Sequence, residues 1–277
     1  MRTARSDLLQ PYAAFHKMWQ AHNHEHLLAD PLTKRDYLDQ LFRFKSRASN
    51  AGVRFFAFCI MDNHVHECGA IGEDFKPFSE WMRVAHGTFG QRFNKRNGRR
   101  GKVAIERPKT VVLEDDRAIL QVMLYLDANP VVAGLVEDAA EWEWSSHRFY
   151  AYGETNAWTK KLDVPQAYLS LGETPVERQE CYRELYEAYV ASRKGEWDGD
   201  VGSEVEAPGP STPSPTSDPR PSSERIAWLP GNPGEGDFFG RDDWMNERQA
   251  SLRSRRQKRE AESCLGSALD ATKALAA

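Results

Sequence analysis

The chain has 277 residues, which is enough for one well-packed domain and a smaller additional region. Its formal net charge is −4 at pH 7, and no segment is apolar over a length that spans a bilayer, so we expect a cytoplasmic protein without a membrane partner. Four cysteines lack the spacing of a metal site or a secreted disulfide framework, which predicts free thiols in a reducing compartment: Cys59, Cys68, Cys181 and Cys264.

The N-terminal part of the chain predicts a strand followed by a helix. Residues 12–20 alternate loosely between apolar and polar side chains, as in a strand. The helix begins at Pro31 or Thr33 and extends to Asn50, because apolar side chains recur at helical spacing. Three histidines between these elements have strand-face spacing and offer an alternative metal site or DNA contact: His22, His24 and His26.

The next stretch, CIMDNHVHECGA, contains a pair of histidines that can bind a metal. It follows Val53 to Ile60, whose aromatic and β-branched side chains predict a buried strand. Side chains two positions apart on a strand point to the same face, so the imidazoles of His64 and His66 can reach one ion while Val65 faces the core. A catalytic metal usually needs a third protein ligand. The alternative is a pair of partly buried histidines on an edge strand.

A second helix, predicted from Pro77 to Asn94, precedes a basic loop and a strand over residues 103–112. The apolar stripe of this helix predicts core packing. A phosphate backbone responds to the local field rather than to the net charge, so the basic cluster predicts a DNA-binding surface. A solvated basic face is the alternative. The cluster consists of Arg83, Arg92, Lys95, Arg96, Arg99, Arg100 and Lys102.

A third helix, which Asp115 or Asp116 can cap, carries Tyr125. Tyr125 by itself is typical of an amphipathic core residue with its hydroxyl at the surface. On a continuous helix Asn129 shares a face with Tyr125, and its amide oxygen is a candidate for the missing metal ligand. Pro130 disfavours helical angles at Asn129, so the alternative is that Asn129 caps a separate short turn.

Three motifs, in this order, resemble the single-tyrosine HUH transposases, specifically the REP-associated tyrosine transposases related to small insertion-sequence enzymes. The motifs are MDNHVHE, YLDANPVVAGLV and WEWSSHRFYAYG. The resemblance extends from about Phe15 to Gly153. The order of predicted elements suggests an antiparallel sheet with helices on one face. The resemblance implies that this α+β domain is ferredoxin-like, or RRM-like.

The resemblance also implies a chemistry. A divalent metal ion, Mg²⁺ or Mn²⁺, would be bound by His64, His66 and Asn129, and Tyr125 would attack single-stranded DNA with hairpin structure. The products would be a 5′-phosphotyrosine and a free 3′-hydroxyl, which permits rejoining and therefore DNA transposition by a monomer or a homodimer. His22, His24 and His26 match a variable part of the family pattern, which favours exposed side chains that bind no metal.

The chain is predicted to consist of four parts. Residues 10–153 form the single-tyrosine HUH transposase domain, and residues 154–195 form a helical extension in which the tyrosines near Tyr182 pack rather than react. Residues 196–237 are rich in proline, glycine, serine and acids, which predicts a disordered linker. Residues 238–277 form a basic helical tail, either a DNA contact or a solvated helix.

Two other functions are compatible with these motifs. One is a hydrolase in which a metal at the H-x-H pair activates water. The other is a domesticated protein that binds DNA hairpins without cleaving them. The stretch IERPKT stands where relatives commonly have an arginine-tyrosine pair, and this departure concerns DNA specificity rather than chemistry.

Overall fold

The computed structural model describes residues 4–104, 107–198, 233, 238–255 and 257. The strands in this part of the chain are β1 (Ala14–Gln20), β2 (Arg54–Ile60), β3 (His64–Ala70), β4 (Lys109–Leu113) and β5 (Phe238–Phe239). The helices are α1 (Arg5–Leu8), α2 (Pro31–Asn50), α3 (Lys76–Arg96), α4 (Asp116–Val132), α5 (His147–Tyr152), α6 (Gln166–Leu169), α7 (Pro175–Asp198) and α8 (242–255).

The described strands form one mixed sheet in the order β2-β3-β1-β4-β5. The first four strands are antiparallel to their neighbours, and β5 adds to the edge parallel to β4. The predicted α+β class is therefore confirmed. Most predicted elements are present, but the strand predicted over 103–112 is shorter and covers Lys109–Leu113. The histidine pair lies at the beginning of a separate strand, β3.

Helices cover both faces of the sheet, where the sequence predicted one covered face. Phe58 of β2 packs in a core with α2 and α3, whereas its neighbour Cys59 packs in a second core with α4, α5 and α7. Because β2 is buried at every position from Phe55 to Ile60, neither face of this strand can be left to solvent. A continuous apolar run of this kind is typical of a strand that is covered on both faces.

The tryptophan-serine-serine stretch covers the outer edge of β2. The amide of Phe58 donates to Ser146 Oγ, the amide of Ser146 donates to the Phe58 carbonyl, and the amide of Ile60 donates to the Trp144 carbonyl. An uncovered edge strand leaves backbone donors and acceptors unpaired. This third motif thus has a structural function, which is to complete the hydrogen bonds of the strand that leads into the histidine pair.

The helix predicted from Pro175 to Lys194 is present as α7, and its buried Tyr182, Leu185 and Tyr189 belong to the core around α4. The predicted linker over 196–237 lies outside the described residues except for 196–198 and Pro233, and the predicted tail is described only over 238–255 and at 257. Within the described residues, no helix has the length and apolarity needed to cross a membrane.

Candidate active site

The two histidines of the H-x-H pair lie side by side on the sheet face that α4 covers. β3 begins at His64, directly after the Met61–Asn63 turn, so His64 and His66 point to the same side and Val65 is buried on the other. The two imidazole centroids are 4.8 Å apart with their planes nearly perpendicular. Both rings can therefore be directed at one small ligand.

Hydrogen bonding orients the first of these imidazoles. His64 Nδ1 lies 2.6 Å from Asn63 Oδ1, an amide oxygen that can only accept, so Nδ1 carries the proton and Nε2 carries a lone pair. Burial lowers the pKa of His64, while Asn129 and Asp62 oppose the shift. The ring is therefore neutral at pH 7, the form that binds a metal.

The second imidazole is more deeply buried. His66 is 3% exposed, and burial lowers its pKa well below the ordinary value, with His16 and His64 adding to the effect. Its Nδ1 lies 3.0 Å from His16 Nε2. Its Nε2 is buried and has no hydrogen-bond partner among the described residues. A buried lone pair without a donor is costly unless a ligand satisfies it.

Helix α4 places Tyr125 and Asn129 against the histidine pair. The ring centroid of Tyr125 lies 5.4 Å from that of His66, with the planes nearly perpendicular. Asn129, one turn further on, lies close enough to both imidazoles to oppose the lowering of their pKa. From Ala118 to Pro130, only Tyr125 and Asn129 retain partial exposure. The helix therefore presents these two side chains at the histidine pair.

Of the two conformations open for Asn129, the structure has the continuous helix. α4 passes through Pro130 and ends at Val132, so Asn129 does not cap a separate turn. Its Nδ2 donates to the Tyr125 carbonyl at 2.6 Å, which leaves Oδ1 as the acceptor end of the amide. Proline within a helix is tolerated when surrounding packing compensates for the lost hydrogen bond, and Pro130 is buried.

A buried hydrogen-bond cluster anchors α4 to the helices that follow it. Asp127 Oδ2 accepts from Tyr182 of α7 at 2.7 Å and lies 2.9 Å from His147 Nδ1 of α5. Asp127 is two positions after Tyr125 and two before Asn129, so these contacts fix the rotation of α4 about its axis. That rotation determines whether the tyrosine and the amide face the histidines.

The side chains of the site fit a divalent cation. His64 and His66 supply neutral imidazoles, one with an orphaned Nε2, and Asn129 supplies an amide oxygen. Within the described residues, no group of three His, Cys, Asp or Glu side chains is arranged to hold a metal. The amide oxygen of Asn129 is therefore a candidate for a third protein ligand beside the histidine pair.

The predicted DNA-binding cations are at the surface, but several already have acidic partners. Arg92 lies 2.7 Å from Asp36 of α2, Arg96 lies 3.8 Å from the same carboxylate, and Arg83 pairs with Glu80 on its own helix. Arg99 pairs with a third acid, Glu25. Three cations show no ion pair to a described residue and are exposed: Lys95, Arg100 and Lys102.

The alternative histidine site is not assembled in the structure. Residues 22–24 form a short 3₁₀ turn, so the three histidines do not share a strand face. His24 and His26 are exposed. His24 Nδ1 lies 2.7 Å from Gln20 Nε2. The exposure of His24 and His26 agrees with the prediction, whereas His22 is half-buried and its Nδ1 is buried.

Glu67 is neither a surface charge nor a partner of the histidines. It follows His66 on β3 and therefore points to the opposite face of the sheet, where it is fully buried 2.5 Å from Lys17 Nζ. Tyr37 donates to its other oxygen at 2.6 Å. The alternation of side chains along a strand excludes Glu67 from the face that holds the imidazoles.

Sequence reasoning missed His16, which lies directly behind His66. Its imidazole centroid is 5.1 Å from that of His66 and 5.7 Å from that of Tyr125. Alternation within residues 14–20 assigns His16 to one face of β1, but only the pairing of β1 with β3, with Met18 opposite His66, shows that it is the histidine face.

No protein-family model matches the chain, and no curated protein is significantly similar to it. One solved structure, of the REP-associated tyrosine transposase bound to a REP hairpin, aligns with 56% of this chain and 89% of its own, with a TM-score of 0.44 and 18% sequence identity. This similarity is too low to assign the chain to a family. Its function is therefore inferred from its own residues.

In the metal-free protein, lowering the pH below 6.5 is expected to destabilise the fold through His16. Burial, aided by Lys109 and opposed by the Pro233 carbonyl, lowers the pKa of His16 from 6.5 to about 4. The unfolded chain takes up this proton first as the pH falls, so the stability is complete above pH 6.5 and decreases towards pH 4 by about 3 kcal/mol.

Urea unfolding in EDTA at pH 7, 5.5 and 4.5 measures this loss. The variant His16→Gln, which lacks the ionisable ring, is expected to lose less stability over the same range. Equal pH dependence in the two proteins would contradict the assignment to His16.

Proposed function

We propose that this chain is a metal-dependent endonuclease and strand transferase for single-stranded DNA, of the REP-associated tyrosine transposase type. The observation that carries the proposal is the position of Tyr125 on α4. Its ring contacts that of His66, and Asn129, one turn later, lies close enough to both histidines of the H-x-H pair to oppose the lowering of their pKa. The three motifs of the sequence resemblance add independent support.

In the proposed reaction, the phenol oxygen of Tyr125 attacks the scissile phosphorus. A P–O bond to tyrosine forms as the bond to the 3′ oxygen breaks, which gives a 5′-phosphotyrosine and a free 3′-hydroxyl. A second 3′-hydroxyl reverses the step and joins new ends. A divalent cation held by His64, His66 and Asn129 would withdraw charge from the phosphate and orient it.

Each surrounding residue has a definable contribution to this chemistry. Asn63 holds the proton of His64 on Nδ1, so the Nε2 of His64 keeps a lone pair that is available to a metal ion. Asp127, through His147 and Tyr182, holds α4 in the rotation that presents Tyr125. The exposed cations Lys95, Arg100 and Lys102 are the best candidates for phosphate contacts, because their charges are not paired with a described carboxylate.

The substrate class follows from the motif resemblance. We propose a structured single strand, an imperfect hairpin with an unpaired flank, as the DNA that the chain binds and cleaves. Mg²⁺ or Mn²⁺ is the expected ion.

The test is a search for covalent DNA. Purified protein is incubated with labelled hairpin oligonucleotides and Mg²⁺ or Mn²⁺, resolved on denaturing gels, and digested so that the DNA-linked peptide is identified by mass spectrometry. We expect an adduct on the α4 peptide that contains Tyr125, and none in EDTA.

The same assay, together with a native-gel binding measurement on the same oligonucleotides, separates the two alternative functions. A hydrolase that uses metal-activated water would cleave the DNA without any adduct. A hairpin-binding protein without cleavage activity would retain the DNA equally well in EDTA and release no product. Either pattern would overturn the proposal.

A further inference from the structure

His16 contacts the histidine pair from a strand that contributes no residue to the H-x-H motif. β1 pairs antiparallel with β3, and the imidazole of His16 is fully buried beside that of His66. Its two ring nitrogens have different partners: Nδ1 lies 2.8 Å from the Pro233 carbonyl oxygen, and Nε2 lies 3.0 Å from His66 Nδ1. The following inference rests on the proposed function, because it concerns how the site presents its ligands.

The Pro233 carbonyl determines where the protons lie. A carbonyl oxygen can only accept, so His16 Nδ1 must carry the proton that is donated to it. In the neutral ring, His16 Nε2 is then an acceptor, and His66 Nδ1 must donate to it. His66 Nε2 consequently carries no proton, and this is the buried atom that has no hydrogen-bond partner among the described residues.

His16 is committed to this contact and is not a ligand in the same geometry. Both of its nitrogens are within hydrogen-bond distance of other atoms, so neither offers a lone pair to an ion. The arrangement has the same form at His64, where Asn63 Oδ1 accepts from Nδ1. Metal-binding histidines commonly donate their second nitrogen to an acceptor, which fixes the ring and its tautomer.

We propose that His16 is a positioning residue, which holds His66 in the Nδ1-protonated tautomer and directs the Nε2 lone pair to a divalent cation. The hydrogen bonds from the Pro233 carbonyl through His16 to His66 fix the orientation of the His66 imidazole before any metal binds. Loss of the acceptor behind His66 leaves its ring able to exchange tautomers and to rotate, and each wrong state competes with metal binding.

The first experiment reads the tautomer directly in the full-length protein. Two-bond ¹H–¹⁵N spectra of histidine-labelled, metal-free protein at pH 7.5 distinguish Nδ1-protonated from Nε2-protonated rings, and the His66 signals are assigned from their loss in His66→Asn. We expect His66 to be protonated on Nδ1. Protonation on Nε2 in the wild-type protein would overturn the proposal.

The second experiment compares two variants of similar size. His16→Gln places an amide oxygen near the position of the imidazole Nε2 and can still accept from His66, whereas His16→Met cannot. We expect His16→Met to weaken Mn²⁺ binding, measured by calorimetry, about 10- to 100-fold and to mix the His66 tautomers. His16→Gln should retain most of the affinity and the single tautomer.

Thermal unfolding of all three proteins in EDTA separates positioning from folding. A merely structural role would lower the stability of His16→Met without changing the His66 tautomer, and unchanged Mn²⁺ affinity in His16→Met would likewise overturn the proposal. Neither measurement requires DNA cleavage. A protein with the expected tautomer and Mn²⁺ affinity but no DNA adduct would support the role of His16 while refuting the proposed reaction.

Discussion

Replacing Tyr125 with phenylalanine is expected to abolish the covalent adduct with hairpin DNA and to reduce strand cleavage by about 10⁴-fold or more, because the only change is loss of the attacking oxygen. The ring remains, so its contacts with His66 and His16 are retained. DNA binding measured by fluorescence anisotropy should therefore change little. Cleavage rates under single-turnover conditions provide the measurement.

Tyr152→Phe is the matched control for this variant. Tyr152 is 43% exposed at the end of α5, outside the histidine pair. The variant removes the same phenolic oxygen, but from a surface position. We expect wild-type cleavage and adduct formation from it. Cleavage that persists in Tyr125→Phe would identify water as the nucleophile and would favour the hydrolase.

Replacing Lys17 with methionine is expected to destabilise the fold by about 3 to 5 kcal/mol, because it leaves the Glu67 carboxylate buried without its counter-charge. Both side chains are fully buried, and they lie directly opposite each other on β1 and β3. Tyr37, which donates to the same carboxylate, cannot neutralise it. The midpoint of urea unfolding, at constant slope, measures the loss.

Two further variants test the cause of this effect. The double variant Lys17→Met, Glu67→Leu removes both charges and is expected to recover most of the stability. Arg83→Met breaks an ion pair between side chains that are 71% and 59% exposed, and it should change the midpoint of urea unfolding only slightly. A Lys17→Met effect as small as that of Arg83→Met would show that the buried pair contributes little.

The Lys17–Glu67 pair also has a consequence for the candidate site. Lys17 follows His16 on β1, and Glu67 follows His66 on β3. A shift of one residue in the pairing would move every side chain of one strand to the opposite face. Such a shift would separate the two buried charges and leave each without its ion-pair partner. The pair therefore opposes the shift and keeps His16 and His66 on the face that α4 covers.

Local patterns predicted several elements well. Helical spacing predicted a helix over Pro31–Asn50, and these are the bounds of α2, with Asp30 accepting hydrogen bonds from the first turn. Asp115, one of the two predicted candidates, caps α4. The common reason is that helical periodicity and capping depend on residues within a few positions of each other.

Other features depended on contacts between distant parts of the chain. The acids that pair with Arg92, Arg96 and Arg99 come from α2 and the loop before it. The basic cluster therefore carries less unpaired positive charge than its sequence predicts. Asn129 had two possible conformations until packing around Pro130 kept α4 continuous. Neither outcome can be read from neighbouring residues.

The sequence by itself determined the pair of same-face histidines and the helix that carries Tyr125, because strand alternation and helical periodicity are local. Only the tertiary structure decided that α4 packs on the histidine face, that Glu67 is buried with Lys17 on the other face, and that His16 lies behind His66. These arrangements depend on strand register and on the burial of charged and apolar side chains between elements about 50 or more residues apart, and such long-range pairings leave no periodic signal in the sequence.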